Sequence, residues 1–297
     1  MNLKGAENFI MLSFFNKKRV RSGLTKVLES TSAKIKDLLN EMDFEEISSR
    51  NTLYKRYESN RYHYYVEMEI NRYIRVLEII TELDPKRKKL NICDYGCMIP
   101  FLPTALAELG YSVTIVDKYE YYGDKFRSTL LEYCKQNGLI IRDLDILNDR
   151  FDSIGSFDIG LNLAVVEHFN GSPKVFLEKV RNTIKSNGLF IFDVPNIANL
   201  VKRVRVVMGH SPLDDYKDYL YSSYPYMGHN REMTVDEVLI LLAASNFDLQ
   251  HIETYDFNPY STVSWKGRLV RALRPIIPLK NLGESIMAVS KVRGDIS

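Results

Sequence analysis

The stretch NICDYGCMIPFLPTALAELGYSVTIVD, residues 91–117, decides the fold. A short apolar run ends at Gly96, a helix-forming segment (102–110) closes on Gly110, and a second apolar run (112–117) ends on an acid. Glycine is the residue that most readily takes the left-handed conformation closing a helix. This is the strand, turn, helix and strand layout of a nucleotide-binding unit. The turn departs from that pattern, because Cys97-Met98-Ile99-Pro100 stand where further glycines are expected.

The same rhythm continues outward. A helix over about 125–137 is followed by LIIRDLD (139–145) and FDIGLNLAVV (157–166). A helix over 173–185, a turn at Asn187-Gly188 and LFIFDVPN (189–196) come next. Strands alternating with helices predict an α/β fold with a doubly wound, mostly parallel sheet. Upstream, Leu24, Val27, Leu28, Ile35, Leu38, Leu39 and Met42 recur at helical spacing within residues 22–50. A second helix spans about 64–83, with Ile70, Ile74, Leu77 and Ile80 on one face, and Asp84-Pro85 stops it. Downstream, the Tyr-, Pro-, Gly- and His-rich residues 197–233 read as an insertion over the sheet edge. Thr234 and Glu237 form a capping box for a helix over 234–247, and 248–257 and 285–292 are the last two strands. The expected organisation is an N-terminal helical extension or lid (1–85) and one α/β domain (86–297) carrying that insertion.

The chain has 297 residues, 45% hydrophobic and 26% charged, with a net charge of +2. That balance gives no global basic field, so no nucleic acid partner is expected. Cys93, Cys97 and Cys134 are too few and wrongly spaced for a disulfide framework or a zinc knuckle, so no metal site is expected and the compartment reads as cytoplasmic. The apolar run FIMLSFF (9–15) is far shorter than the roughly 20 residues of a membrane-spanning helix.

Ligands of a doubly wound sheet sit at the carboxyl ends of its strands, and these ends are rich in acids. Asp117, about 20 residues past the glycine turn, is placed to accept both ribose hydroxyls of an adenosine cofactor, the bland alternative being a solvated strand-end acid. Asp145 is similarly placed to accept from an adenine amino group, with Ile146 packing on the ring. Strand four leads to Glu167-His168, and strand five ends in Asp193.

From about residue 90 to 196 the chain resembles class I S-adenosylmethionine-dependent methyltransferases. The resemblance rests on ICDYGC, GYSVTIVD, DLDI, SFDIGLNLAVVEHF and NGLFIFDVPN. Further on, PNIANL and GHNREMTVDEVLILLAASNFDL look like the substrate-side part of the subfamily with the ubiquinone-biosynthesis and surface-glycan O-methyltransferases. The resemblance implies a seven-stranded Rossmann-like sheet and S-adenosylmethionine as cofactor. It places Asp94 and Gly96 at the methionine part, Asp117 at the ribose, Asp145 and Ile146 at the adenine, and Asn162 and Leu163 near the sulfonium. It implies methyl transfer, most naturally to oxygen, on a small-molecule, glycan or lipid-linked acceptor.

Met98 and Pro100 break the family's G-x-G-x-G turn. A methyl donor has no pyrophosphate and needs fewer free backbone amides there, which favours it over a nicotinamide cofactor. A catalytically inactive relative serving as a binding module is the alternative. His168 and His229 are the candidate bases, and Arg231 a candidate for orienting the acceptor; each also reads as a local structural contact. YKRYESNRYHYY (54–65) reads as an amphipathic helix start over the cofactor mouth. Arg268, Arg271 and Arg274, at helical spacing within 265–280, suit either a solvated helix or a peripheral contact with the inner membrane face. The sequence leaves the oligomeric state open.

Overall fold

The computed structural model describes residues 14–42, 59–84, 90–222, 226, 228–258 and 280–294. Seven strands form one sheet: β1 (Asn91–Tyr95), β2 (Ser112–Asp117), β3 (Ile140–Asp143), β4 (Phe157–Leu163), β5 (Ile184–Pro195), β6 (Phe247–Tyr255) and β7 (Ser285–Val292). Their order is β3-β2-β1-β4-β5-β7-β6. Neighbours from β3 through β5 run parallel, and β7 lies antiparallel between β5 and β6. The chain winds outward from β1 to β3 and then crosses back to β4, so the switch point lies between β1 and β4. The expected doubly wound sheet and its two late strands are present.

Helices α1 (Phe14–Glu41), α2 (Ser59–Leu83), α3 (Phe101–Glu108) and α4 (Asp124–Gln136) contribute to one apolar cluster on one face of the sheet. In α1 the buried residues Leu24, Leu28, Thr31, Ser32, Ile35, Leu38 and Leu39 recur at the period of 3.6 that makes a single stripe. That stripe shares a cluster with Ile92, Leu102 and Ile115, so the N-terminal helices belong to the core of the sheet. On the other face, α5 (Lys174–Thr183) and α8 (Val235–Ala244) bury Phe176, Leu177, Val180, Val238 and Leu242 against β4, β5 and β7. The capping box at Thr234 and Glu237 is formed as expected.

Several boundaries differ from the sequence reading. The first helix begins at Phe14 and ends at Glu41; residues 43–50 lie outside those described. The expected turn at Asn187-Gly188 falls inside β5, where the pairing with β4 jumps from Phe157↔Ile184 to Ile159↔Leu189. Asn187 takes φ 63° there, a conformation that asparagine tolerates better than most residues. Residues 197–233 are more regular than expected: Asn199 and Asp215 cap two short helices, α6 (Leu200–Val207) and α7 (Tyr216–Leu220). The basic segment 265–280, apart from Lys280, and the first five residues of 54–65 lie outside the described residues.

One buried ion pair ties α2 to the far side of the sheet. Arg72, 3% exposed, contacts Glu69 one turn earlier (2.5 Å) and Asp193 at the end of β5 (3.0 Å). Its guanidinium lies 4.0 Å over the Phe257 ring. Asp193 also accepts from Tyr255 and Ser285, each at 2.8 Å, so the contact joins α2, β5, β6 and β7. Burial raises the pKa of both acids against the pull of Arg72. Arg72→Ala leaves two buried carboxylates without a counter-charge and is expected to cost about 3–5 kcal/mol. This is read from the urea midpoint at unchanged m-value. A loss within the ~1 kcal/mol of an exposed ion pair would contradict the assignment.

Candidate functional site

The turn after β1 is fixed from three sides. The Gly96 amide donates to Val116 O (2.8 Å), the Tyr119 hydroxyl to Cys97 O (2.7 Å), and the Asn162 amide nitrogen to Tyr95 O (2.9 Å). Gly96 has φ +86°, and a Cβ there would lie 2.6 Å from the Val165 side chain, so this first glycine cannot be replaced cheaply. The later positions are different. Cys97, Ile99 and Phe101 are buried in the cluster shared with α1 and α2, and Met98 packs against it half-buried. Pro100 precedes α3, and its carbonyl accepts from both the amide and the hydroxyl of Thr104 (3.0 and 2.6 Å). The lost glycines are thus replaced by apolar groups that seat the N-terminal helices; the Phe101 ring packs edge-on against Tyr73 of α2, 5.1 Å between centroids.

Around this turn lie buried carboxylates without cations. Asp94, the last residue but one of β1, is 6% exposed, and its pKa is pushed up to about 7 by burial and the nearby Asp117. Asp117 ends β2 and accepts the Lys118 amide (2.7 Å); burial first, then Asp143, raises it to about 7 against that bond. No side chain among the described residues pairs with either carboxylate through a salt bridge. Asn162 is fully buried, with Oδ1 lacking any hydrogen-bond partner. Leu163 ends β4 half-buried, and Ala164 follows at φ 55°, a strained conformation for a residue with a Cβ. Asp94, Gly96, Asp117, Asn162 and Leu163 therefore lie at the neighbouring carboxyl ends of β1, β2 and β4.

Asp145 lies two residues beyond β3, which is shorter than expected. It folds back on its own turn, accepting from the amides of Leu147 (2.9 Å) and Asn148 (3.1 Å) and from the Asn148 side chain (3.0 Å). Ile146 is half-buried beside it. Lys118, Glu120, Arg127, Asp143, Asp145, Asn148 and Asp149 line a polar cavity of about 460 Å³ at the β2 and β3 ends. The cavity lies on the Asp145 side and does not extend over the apolar 97–101 turn, which α2 covers.

The second half of the site is made by two loops strapped together. The Glu167 carbonyl accepts the amides of Asn230 (2.7 Å) and Arg231 (3.1 Å), and the Asn230 side chain donates to His168 O (2.9 Å). This brings His168 and His229 to 5.1 Å between ring centroids. His168 Nδ1 lies 3.2 Å from Gly228 O, and His229 Nδ1 2.9 Å from Glu232 Oε1. Burial opposes a charge on His229, yet Glu232 and Glu167 together raise its pKa. Arg231 does not join them: its side chain is 71% exposed and pairs with Glu237 (2.5 Å) in the cap of α8.

Two contributors were not among the expected site residues. Glu167 is fully buried, both its carboxylate oxygens lack hydrogen-bond partners, and burial pushes its pKa up to about 7 against the pull of His229. Its ligand atoms and those of His168 and His229 lie within 4.8 Å of one another, a donor set that can also hold a divalent ion. Tyr65 of α2 is two-fifths exposed, yet burial and the charges of Glu69 and Glu167 raise its phenol well above the ordinary value. The acid in VEH was visible as a strand-end group; nothing in the sequence reveals that Tyr65 comes within electrostatic range of it.

These raised pKa values have a stability consequence. A carboxyl whose folded pKa is about 7 and whose unfolded pKa is about 4 binds more protons when folded, so its stabilising contribution is lost as pH rises through 7. Asp117→Asn is therefore expected to raise the melting temperature of the ligand-free protein at pH 8 by about 2 °C or more, with the gain shrinking toward pH 5. A loss of stability at pH 8 would contradict the placement of Asp117.

No family model matches the chain. Among curated proteins it is similar to the ubiquinone biosynthesis O-methyltransferase of Rickettsia conorii, 32% identical over 108 residues, covering 36% of each chain. The protein of that name from Rickettsia felis is 23% identical over 193 residues, 64% of this chain and 73% of the relative. The chain spans only about a third to a half of the length of the first curated relatives it matches. A solved S-adenosylmethionine-dependent methyltransferase from Clostridium acetobutylicum superposes with a TM-score of 0.51 at 14% identity, covering 75% of this chain and 92% of that one. With the strand order and the reversed seventh strand, this likeness gives the chain the class I S-adenosylmethionine-dependent methyltransferase fold.

Proposed function

We propose that the protein is an S-adenosylmethionine-dependent methyltransferase acting on an oxygen of a small-molecule, glycan or lipid-linked acceptor. The observation that carries the reading is the pair of buried, cation-free carboxylates Asp94 and Asp117 on either side of Gly96. An acid at the tip of β2 accepts ribose hydroxyls, and an acid at the end of β1 attracts the positive methionine end of the donor. The orphan Oδ1 of Asn162 fits a ligand donor, and the apolar turn suits a cofactor without pyrophosphate. Names of the curated relatives support O-methylation.

When bound, S-adenosylmethionine supplies the methyl group and the sulfonium from which it leaves. The chain's own residues position and deprotonate. Asp117 holds the ribose and the Asp145–Ile146 turn lines the adenine side without a free carboxylate, while Asp94, Asn162 and Leu163 line the reacting end. Glu167 and His229 form the proton-accepting pair for an acceptor hydroxyl, with His168 beside them. The Nδ1 contact with Glu232 leaves His229 Nε2 as its lone-pair nitrogen. The N-terminal helices α1 and α2 share the core of the sheet and bring Tyr65 toward Glu167, and the α/β domain that follows is the catalytic part, with a cytoplasmic location. Among the described residues no helix is long and apolar enough to cross a membrane.

Titration calorimetry with S-adenosylmethionine and S-adenosylhomocysteine tests the reading. Wild-type protein is expected to bind both, and Asp117→Ala to weaken binding at least ~10-fold through two lost charge-assisted hydrogen bonds. Absence of binding by either compound would remove the enzyme reading, and unchanged affinity in the variant would remove the ribose assignment.

A further inference from the structure

The crossover from β3 to β4 is built unlike the others of the parallel sheet. Helices α3, α4 and α5 carry the chain from β1 to β2, from β2 to β3 and from β4 to β5, whereas residues 144–156 form turns and no helix. A helix satisfies most of its own carbonyls, and a run of turns leaves them to be met from elsewhere. Here one side chain meets three of them. Lys179 Nζ donates to Leu147 O (2.6 Å) and Asp149 O (2.8 Å) and lies 3.5 Å from Ile146 O. An ammonium carries three donors and no acceptor, so converging carbonyls suit it.

The two ends of this contact differ in rigidity. Lys179 stands on α5 among Phe176, Leu177 and Val180, each at most 1% exposed. Its ammonium lies 5.5 Å from the centre of the Phe151 ring, which stacks on Tyr95 of β1 (5.8 Å). The turn follows the edge strand of the sheet, so β2 alone flanks its strand. It closes on itself: Asp145 N donates to Asp149 Oδ2 (2.8 Å) and Asp149 N to Asp145 O (2.9 Å). Those bonds fix the shape of the turn, and Lys179 fixes where that shape stands relative to the core.

Asp145, Asn148 and Asp149 form one wall of the polar cavity beside Asp117, and Lys179 holds that wall from outside the lining. Of the seven lining residues, Glu120, Asp143, Asp145 and Asp149 bring carboxylates and Asn148 an amide, against the cations Lys118 and Arg127. A lining rich in acceptor oxygens receives an amino donor better than another acceptor. We propose that Lys179 is a positioning residue that sets the 145–149 turn against the purine of the cofactor, giving the site its preference for an amino over an oxo purine. This rests on the methyltransferase reading above.

Calorimetry of the full chain with S-adenosylhomocysteine and S-inosylhomocysteine, in which an oxo group replaces the purine amino group, tests the assignment. Wild-type protein is expected to bind the adenine compound at least ~10-fold more tightly. Lys179→Met, which keeps the length of the side chain and removes its donors, should weaken S-adenosylhomocysteine by about that factor and bring the two affinities together. In the ligand-free variant, hydrogen exchange should be at least ~10-fold faster at the amides of Asp145, Leu147, Asn148 and Asp149, with α5 unchanged. Wild-type binding without a preference, a preference that Lys179→Met retains, or unchanged exchange in the turn would overturn this proposal alone. A lower melting temperature with the preference intact would do the same, leaving Lys179 a structural contact. Wild-type protein that binds neither compound would remove the methyltransferase reading and this proposal with it.

Discussion

The carboxyl end of the sheet gathers more buried negative charge than the chain balances. Among the described residues Arg72 is the one basic side chain in the buried set, and it is committed to Glu69 and Asp193. Asp94, Asp117 and Glu167 share that end with no buried cation of their own. Burying an ionised carboxylate without a partner is costly, and a folded chain tolerates it where a ligand later supplies the partner. The imbalance holds Asp94 and Asp117 near neutral protonation, beside two further signs of a ligand-shaped site: an orphan amide oxygen on Asn162 and a strained residue at Ala164. The Arg72 clamp lets the imbalance persist, because it fixes α2 above the strand ends without neutralising the acids below.

The apolar turn at Cys97–Pro100 acquires a structural reason in this setting. Where glycines would leave the backbone bare, Ile99 and Phe101 enter the same cluster as Leu28, Ile74 and Leu77. The turn thereby gives up close approach to a ligand along its length and gains a seat for α1 and α2. Gly96 alone keeps the left-handed conformation and the close contact that the end of β1 requires. Tyr65, delivered by α2, comes within electrostatic range of Cys97 and Glu167, so the N-terminal helices contribute to the site as well as to the core.

Much of this was legible in the sequence because strand ends and acids have local signatures. Asp94 and Asp117 could be placed from the alternation of apolar runs with helices, Asn162 only through the family resemblance, and His168 and His229 from their positions in VEH and GHNRE. What the sequence hid depends on long-range packing. Arg231 sits in the same GHNRE motif as His229, yet its side chain turns outward because Glu237, already fixed by the α8 cap, draws it there. Asp145 reads as a strand-end acid but spends its oxygens on its own turn, since β3 stops at Asp143. Glu167 looked like one strand-end acid among several, and only its burial without partners singles it out. The helices in 197–233 were hidden because half of α6 is β-branched valine, which reads as strand, and α7 has only five residues, between the turn-forming Gly209, Pro212 and Pro225.

Hydrogen–deuterium exchange with and without S-adenosylhomocysteine tests the central claim most directly, because it reports where the ligand sits. The account predicts slowed exchange in the amides of 94–98, 117–120 and 145–149 and in the 162–168 segment, with lesser protection of α2 around Tyr65. Protection confined to other regions, or an exchange pattern unchanged at saturating ligand, would contradict a cofactor site built on the cation-free carboxylates of β1 and β2.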